Sequence, residues 1–201
     1  RVSLGSAMVL GLLNGKLDAA PTTAYLMTYR RGKCVANCGF CPQARESYGR
    51  ADMLSRISWP IFAVSNVLNR VEDAVKNTQI RRVCLQALNY PKVSKDLLAL
   101  VKTIHQKADV PISVSCQPLN CENMKALATA GAERIGIPLD AATEELFDKV
   151  KGCSAGGPYN WRRQFKLLGE AVQIFGKGKV GTHLIVGLGE TEKEMIKIIQ
   201  R

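Results

Sequence analysis

The sequence predicts an α/β fold, a partial (β/α) barrel of five or six parallel strands with outer helices. Short apolar runs rich in β-branched residues recur along the chain, and stretches of helical periodicity separate them. This alternation is typical of βαβ units around a parallel sheet. The strands predicted in this way are 24–29, 82–87, 112–116, 134–139 and 180–188.

Chain length limits how much of a barrel is present. The sequence has 201 residues, one domain's worth, whereas a whole (β/α) barrel takes about 250. Either further strands lie beyond this sequence, or the barrel is open and completed by another subunit. We predict one domain over 23–201, preceded by an N-terminal helical segment over 1–22 with its helix at 4–13. A flavodoxin-like sheet is the alternative.

Local signals mark where the intervening helices begin and end. Ser58, before Trp59 and Pro60, and Ser94 are predicted helix starts, and Gly131 is a predicted helix end. Thr191 followed by Glu194 predicts a capping box for the last helix. The glycine-rich stretch 151–160 is predicted to be a loop.

The amino-acid composition excludes several classes of protein. With 46% hydrophobic and 22% charged residues, the chain is neither disordered nor fibrous. No apolar run approaches the roughly 20 residues of a membrane span, and no signal peptide is visible, so we expect a cytoplasmic protein without a membrane partner. The net charge of +11 favours an anionic partner. The basic residues are spread over predicted helices without interleaved aromatics, so nucleic acid is not expected.

The seven cysteines do not suggest a disulfide framework, because their number is odd and three of them crowd together. Cys34, Cys38 and Cys41 follow the first predicted strand with the spacing Cys-x3-Cys-x2-Cys. Three thiolates suit a [4Fe–4S] cluster that keeps one iron open for a ligand. A structural zinc site is the weaker alternative, since it usually needs a fourth ligand.

The stretch CVANCGFC resembles the CxxxCxφC signature of the radical S-adenosylmethionine (SAM) enzymes, with Phe40 at the aromatic position. The resemblance implies a cluster held by Cys34, Cys38 and Cys41. In that family the open iron binds the amino and carboxylate groups of SAM. An electron from the cluster then releases a 5′-deoxyadenosyl radical.

Two further stretches, Cys-Pro-Gln-Ala after the motif and 184–191, are similar to those of biotin synthases. Besides Phe40, the resemblance implies five further SAM contacts, namely Asp140, His183, Gly187, Gly189 and Glu190. Asp140 is the expected ribose ligand, and His183 is placed on the cavity face by strand alternation. Pro138 departs from the family pattern, which has a polar residue there. The stretch Leu-Gln-Ala-Leu after the second strand departs from it as well.

Four cysteines remain, and four is the number that fully ligates a second [4Fe–4S] cluster. They are Cys84, Cys116, Cys121 and Cys153. Cys84 and Cys116 match positions where biotin synthases present auxiliary-cluster ligands, while Gly181 stands where those enzymes have another cysteine. The other interpretation is that these residues are small buried hydrophobes.

An auxiliary cluster beside a radical generator is the arrangement of enzymes that insert sulfur into unactivated C–H bonds. The segment from Val2 to Arg56 most resembles the short subunits of archaeal-type two-component lipoyl synthases. That resemblance implies sulfur insertion into a protein-bound octanoyl chain. It also implies an acidic octanoylated carrier, a second radical SAM subunit and a reductant such as ferredoxin. Biotin formation and an electron-transfer role for the second cluster stay open, as does a noncatalytic metal- or RNA-binding module.

Overall fold

The computed structural model of the protein describes residues 1–117 and 120–201. Its strands are β1 (Thr23–Met27), β2 (Met53–Leu54), β3 (Ile57–Ser58), β4 (Arg82–Gln86), β5 (Ile112–Ser115), β6 (Ala132–Gly136) and β7 (Val180–Gly181). Its helices are α1 (Leu4–Val9), α2 (Val64–Lys76), α3 (Val93–Lys107), α4 (Cys121–Thr129), α5 (Glu144–Lys151), α6 (Trp161–Phe175) and α7 (Glu192–Ile199).

The main sheet has the order β1-β4-β5-β6-β7, and every neighbouring pair is parallel. Each strand thus lies beside the next sheet strand in the chain, which is how a (β/α) barrel is wound. A flavodoxin-like sheet would reverse its strand order at a switch point. The predicted partial barrel is therefore confirmed, and the flavodoxin-like alternative is wrong.

Alternation along the strands separates two faces of the sheet. Val83 and Leu85 of β4 are almost fully buried, as are Ile112 and Val114 of β5, and they belong to the main core with the outer helices. The intervening residues are partly exposed and face the concave side. A smaller core around Phe147 supports the α5–α6 region. The carboxyl ends of the strands thereby form one rim of a cavity.

Helix ends follow the local chemistry that the sequence carries. Thr143 caps α5, Asn160 caps α6, and Thr191 forms the predicted capping box with Glu194 at α7. Gly131 follows α4 with φ at +109°, as a helix-terminating glycine does. The stretch between α5 and α6 is the predicted loop.

The predicted strand 180–188 is only partly formed. Pairing with β6 stops after Gly181 and returns as a single bridge between Asp140 and Leu184. The Thr182 hydroxyl explains the gap, because Oγ1 accepts from Leu139 N at 3.0 Å and donates to the Ile137 carbonyl at 2.8 Å. A side chain thus replaces backbone pairing there.

Ser58 does not begin a helix, contrary to the prediction. It ends the short hairpin β2–β3, and the next helix starts at Val64. Trp59 accounts for the delay: its backbone N–H donates to Asp52 and its indole N–H donates to Leu54. These bonds hold Trp59, which is buried, against the hairpin in a nonhelical conformation.

The first residues of the chain run beside the outer edge of β1. Val2 pairs with Leu26 in an antiparallel bridge, and Met27 N donates to the Arg1 carbonyl. The helix that follows, α1, ends at Val9 rather than at the predicted residue 13. Within the described part of the chain, no helix combines the length and apolarity that crossing a bilayer requires.

Candidate functional site

The loop after β1 brings Cys34, Cys38 and Cys41 together. All three thiols are half-buried and line one cavity of about 910 Å³ at the carboxyl ends of the strands. Within the loop, Cys41 N donates to the Cys38 carbonyl at 3.0 Å, and Cys34 N donates to the Gln43 carbonyl at 2.9 Å. The backbone therefore turns so that the three side chains face one space.

Two distant segments fix this loop. The segment after β4 contributes Asn89, whose carbonyl accepts from Val35 N at 2.9 Å and whose N–H donates to Cys34 Sγ at 3.2 Å. The end of α5 contributes the Val150 carbonyl, which accepts from Gly39 N at 2.8 Å. The cysteines are thus positioned by tertiary contacts as well as by their spacing.

Gln43 joins the loop to the β2–β3 hairpin. Gln43 is 1% exposed, and its Nε2 donates to the carbonyls of Ala51 at 2.7 Å and Met53 at 2.6 Å. Its Oε1 is buried without a hydrogen-bond partner among the described residues. Hairpin residues Ser55 and Arg56 line the mouth of the same cavity.

Burial dominates the acidity of two of these thiols. It raises the pKa of Cys38 to about 12, although the nearby Lys151 ammonium acts in the opposite direction. Burial also raises the pKa of Cys41. The metal-free protein therefore keeps these protons near neutral pH, and bound iron would displace them.

The donor set fits a [4Fe–4S] cluster better than a single ion. Zn–S bonds of about 2.3 Å require thiolates that nearly touch around one zinc. Across the described ranges, no three His, Cys, Asp or Glu side chains stand in a group suited to one metal ion. A [4Fe–4S] cluster binds each thiolate through a different iron, so it suits three thiols that line one cavity. Three such thiols leave one iron open.

Three of the predicted SAM contacts also line the cavity: Phe40, Asp140 and His183. Asp140 follows β6 in a left-handed conformation, with φ at +68°. Its N–H donates to the His183 carbonyl at 2.7 Å, which ties the two segments together. One carboxylate oxygen, Oδ2, accepts from Lys151 Nζ at 2.6 Å.

Gly187, Gly189 and Glu190 do not line the cavity. The two glycines adopt φ of +97° and +121°, a backbone conformation that residues with a side chain rarely adopt. Glu190 accepts from Gly187 N at 2.6 Å and Leu188 N at 2.9 Å, and these bonds lower its pKa. The segment forms the turn into α7, and its contact with SAM stays a prediction.

The other four cysteines lie on different elements, and they do not all line the cavity. Cys84 lies in β4 on the concave face, whereas Cys116 follows β5 and is buried against the main core. Cys121 begins α4, and Cys153 is exposed in the loop after α5. Of the four, within the described residues, Cys116 lines the cavity. A second cluster stays a prediction.

Sequence reasoning overlooked several residues that build the site: Gln43, Asn89, Lys151 and Tyr159. Lys151 ends α5, where a basic residue ordinarily complements the helix dipole, so its burial gives no local signal. Asn89 Nδ2 donates to the Tyr159 hydroxyl at 3.1 Å across 70 residues of chain. Gln43, directly after the cysteine motif, stood in a stretch that the sequence had already marked as similar to biotin synthases, whereas Lys151 and Tyr159 stood in a stretch marked as a loop.

Comparison with known proteins places this site in a family. Residues 31–201 match the sequence profile of the Radical SAM superfamily. A biotin synthase of Chlamydia pneumoniae is 26% identical over 186 residues, which cover 88% of this chain and 50% of that protein. The chain therefore spans about half the length of this relative.

Solved structures agree on the fold. Methylornithine synthase (PylB) superposes with a TM-score of 0.66 at 14% identity, covering 88% of this chain and 48% of that one. The hydrogenase maturase HydG from Carboxydothermus hydrogenoformans gives 0.61 at 19% identity, covering 83% and 37%. The chain belongs to the radical SAM superfamily and is biotin synthase-like in sequence, and membership implies a [4Fe–4S] cluster and SAM.

Proposed function

We propose that Cys34, Cys38 and Cys41 hold the [4Fe–4S] cluster at which this chain cleaves SAM reductively. The observation that carries the proposal is that all three thiols line one cavity together with Asp140. When bound, the cluster and SAM supply a 5′-deoxyadenosyl radical that takes a hydrogen atom from the substrate.

The chain's own residues have positioning tasks in this reaction. Among the described residues, hydrogen bonding to the Asp140 carboxylate is confined to Oδ2, so Oδ1 is available to accept from a ribose hydroxyl. Asn89 N–H donates to Cys34 Sγ and thereby orients one ligand. Phe40 and Tyr159 form an apolar part of the cavity wall, which restricts the access of water to a reactive radical.

The finer proposal is sulfur insertion into an octanoyl chain bound to a carrier protein, which forms the lipoyl group. Its support is the sequence likeness of 2–56 to the short lipoyl synthase subunits. A second iron–sulfur cluster at Cys84, Cys116, Cys121 and Cys153 would be the sulfur source. The net charge of +11 would steer an acidic carrier to the protein. A second radical SAM subunit and a ferredoxin-like reductant are the other partners proposed.

Biotin formation is the second candidate, favoured by the 26% identity to a biotin synthase. The two candidates differ in substrate, since one takes an octanoyl-lysine peptide and the other a desulfurised biotin precursor. Both require the same SAM cleavage.

The test begins with anaerobic reconstitution with iron and sulfide, followed by dithionite and SAM. We expect 5′-deoxyadenosine from the wild type and none from the Cys34→Ala, Cys38→Ala, Cys41→Ala triple variant. Offering the octanoyl peptide and the biotin precursor side by side, with mass spectrometry of the products, separates the finer proposals. Deoxyadenosine release without sulfur addition to either substrate would contradict both finer proposals and leave the coarser one intact.

A further inference from the structure

Lys151 is a lysine buried in the wall of the cluster cavity. Its side chain is 1% exposed, whereas lysine is almost never fully buried unless paired. Nζ donates to Asp140 Oδ2 at 2.6 Å and to the Pro138 carbonyl at 2.9 Å. The rings of Phe147 and Tyr159 lie 5.3 and 5.1 Å from Nζ. The ammonium is therefore held at one place.

Stability alone does not explain this arrangement. A buried ion pair is on average no more stabilising than well-packed apolar side chains of the same volume, because both ions lose their hydration. Among the described residues, Asp140 and Lys151 are the buried charged side chains. Both line the cavity that holds the three thiols of the cluster loop.

Backbone contacts fix the distance between Lys151 and the cluster loop. On one side the Val150 carbonyl accepts from Gly39 N at 2.8 Å, one residue after Cys38. On the other side the loop after α5 folds back so closely that a Cβ at Gly157 would overlap the Lys151 carbonyl. The backbone at Lys151 is thus fixed beside the cluster loop, and the hydrogen bonds to Asp140 and Pro138 hold the ammonium in the cavity wall.

A fixed cation at this place acts on the charge that reduction adds. Three thiolates already make the site negative, and one electron from a low-potential one-electron donor adds one more negative charge. Net charge and solvent exposure around an iron–sulfur cluster set its reduction potential. A buried cation interacts more strongly than an exposed one, because water screens it less.

We propose that Lys151 is an electrostatic positioning residue that makes the cluster site easier to reduce, with Asp140 as its opposing partner. The inference rests on the proposed cluster at Cys34, Cys38 and Cys41. It concerns which residue sets the potential at which the radical reaction can begin.

The experiment measures the midpoint potential of the reconstituted protein by a redox titration monitored by electron paramagnetic resonance, without SAM. The variants are Lys151→Met, Lys151→Arg, Asp140→Asn and the Lys151→Met, Asp140→Asn double variant. Lys149→Met is the matched control, because Lys149 lies in the same helix and is exposed. Iron and sulfide per chain are counted for each protein.

We expect the midpoint to become more negative in Lys151→Met and more positive in Asp140→Asn. The double variant should lie between them, while Lys151→Arg and Lys149→Met should stay at the wild-type value. Midpoint shifts of opposite sign identify an electrostatic role. Loss of a merely structural ion pair would shift the midpoints of both single variants in the same direction. If Lys151→Met does not retain its iron, the double variant provides the test. Its midpoint potential must then be more negative than that of Asp140→Asn.

Equal midpoints in Lys151→Met and Lys149→Met, or in the double variant and Asp140→Asn, would overturn the inference while the cluster itself persists. A wild-type protein that takes up no iron would instead contradict the proposed function. The two failures are therefore distinguishable.

Discussion

Two groups of cysteines in this chain have different positions in the fold. The cluster-loop cysteines, Cys34, Cys38 and Cys41, face one cavity from a single loop that two distant segments hold in place. The outlying cysteines, Cys84, Cys116, Cys121 and Cys153, lie on a strand, in the core, at a helix start and in an exposed loop. The cluster-loop cysteines all line the cavity, whereas of the outlying cysteines, within the described residues, Cys116 does.

The difference shows what spacing along the chain can specify. Three cysteines within eight positions of a loop are close whatever the rest of the fold does. Cysteines from four separate segments converge only if strand register, side-chain direction and loop position all agree. The predictions below test this contrast, from the largest expected effect to the smallest.

The largest effect is expected from the cluster loop itself. Replacing Cys34, Cys38 and Cys41 by alanine should abolish deoxyadenosine formation, because three ligands to the same cluster are lost. Iron analysis and chromatography of the SAM products check this. Cys121→Ala is the matched control for SAM cleavage and should retain it. SAM cleavage by the triple variant would show that the cluster-loop cysteines are not the ligands that set them apart from the outlying cysteines.

Thiol reactivity should separate two outlying cysteines by orders of magnitude. Burial raises the pKa of Cys116 to about 12, so almost no thiolate exists at pH 8, and reagent access is poor. Cys153 is exposed. Timed iodoacetamide labelling of metal-free protein, read by mass spectrometry, should modify Cys153 first. Equal rates at both thiols would show that Cys116 is not buried in solution.

Iron content tests whether the outlying cysteines act as a group. With a second cluster, the wild type should contain roughly eight irons, and replacing Cys84 and Cys116 by alanine should leave roughly four. The sulfur product should disappear while SAM cleavage continues. A wild-type content near four would remove the second cluster and leave these residues as ordinary packing.

The smallest effect concerns the support of the cluster loop. Gln43→Leu removes two hydrogen bonds to the hairpin and should lower the free energy of unfolding by about 1–3 kcal/mol. Chemical denaturation of the metal-free protein measures this. Gln106→Leu, at an exposed helix position, is the control. An unchanged stability would mean that the loop is positioned by its other contacts alone.

Much of the architecture could be predicted because it follows from local patterns. The βα alternation, the capping box at Thr191 and the helix end at Gly131 all rest on neighbouring residues. The predicted strand 180–188 failed because the Thr182 hydroxyl takes over backbone pairing. The hairpin at 53–58 was missed because Trp59 holds its nonhelical conformation through contacts that no periodicity reveals.

The sequence by itself determined the family and the cysteine triad, since a short motif keeps its residues together in any fold. The tertiary structure alone decided that Lys151 is buried beside Asp140 and that Asn89 donates to Cys34. It also decided which outlying cysteine reaches the cavity wall. The physical reason is that burial and hydrogen bonding between distant segments depend on how strands and loops pack. Residue type at one position does not encode that packing.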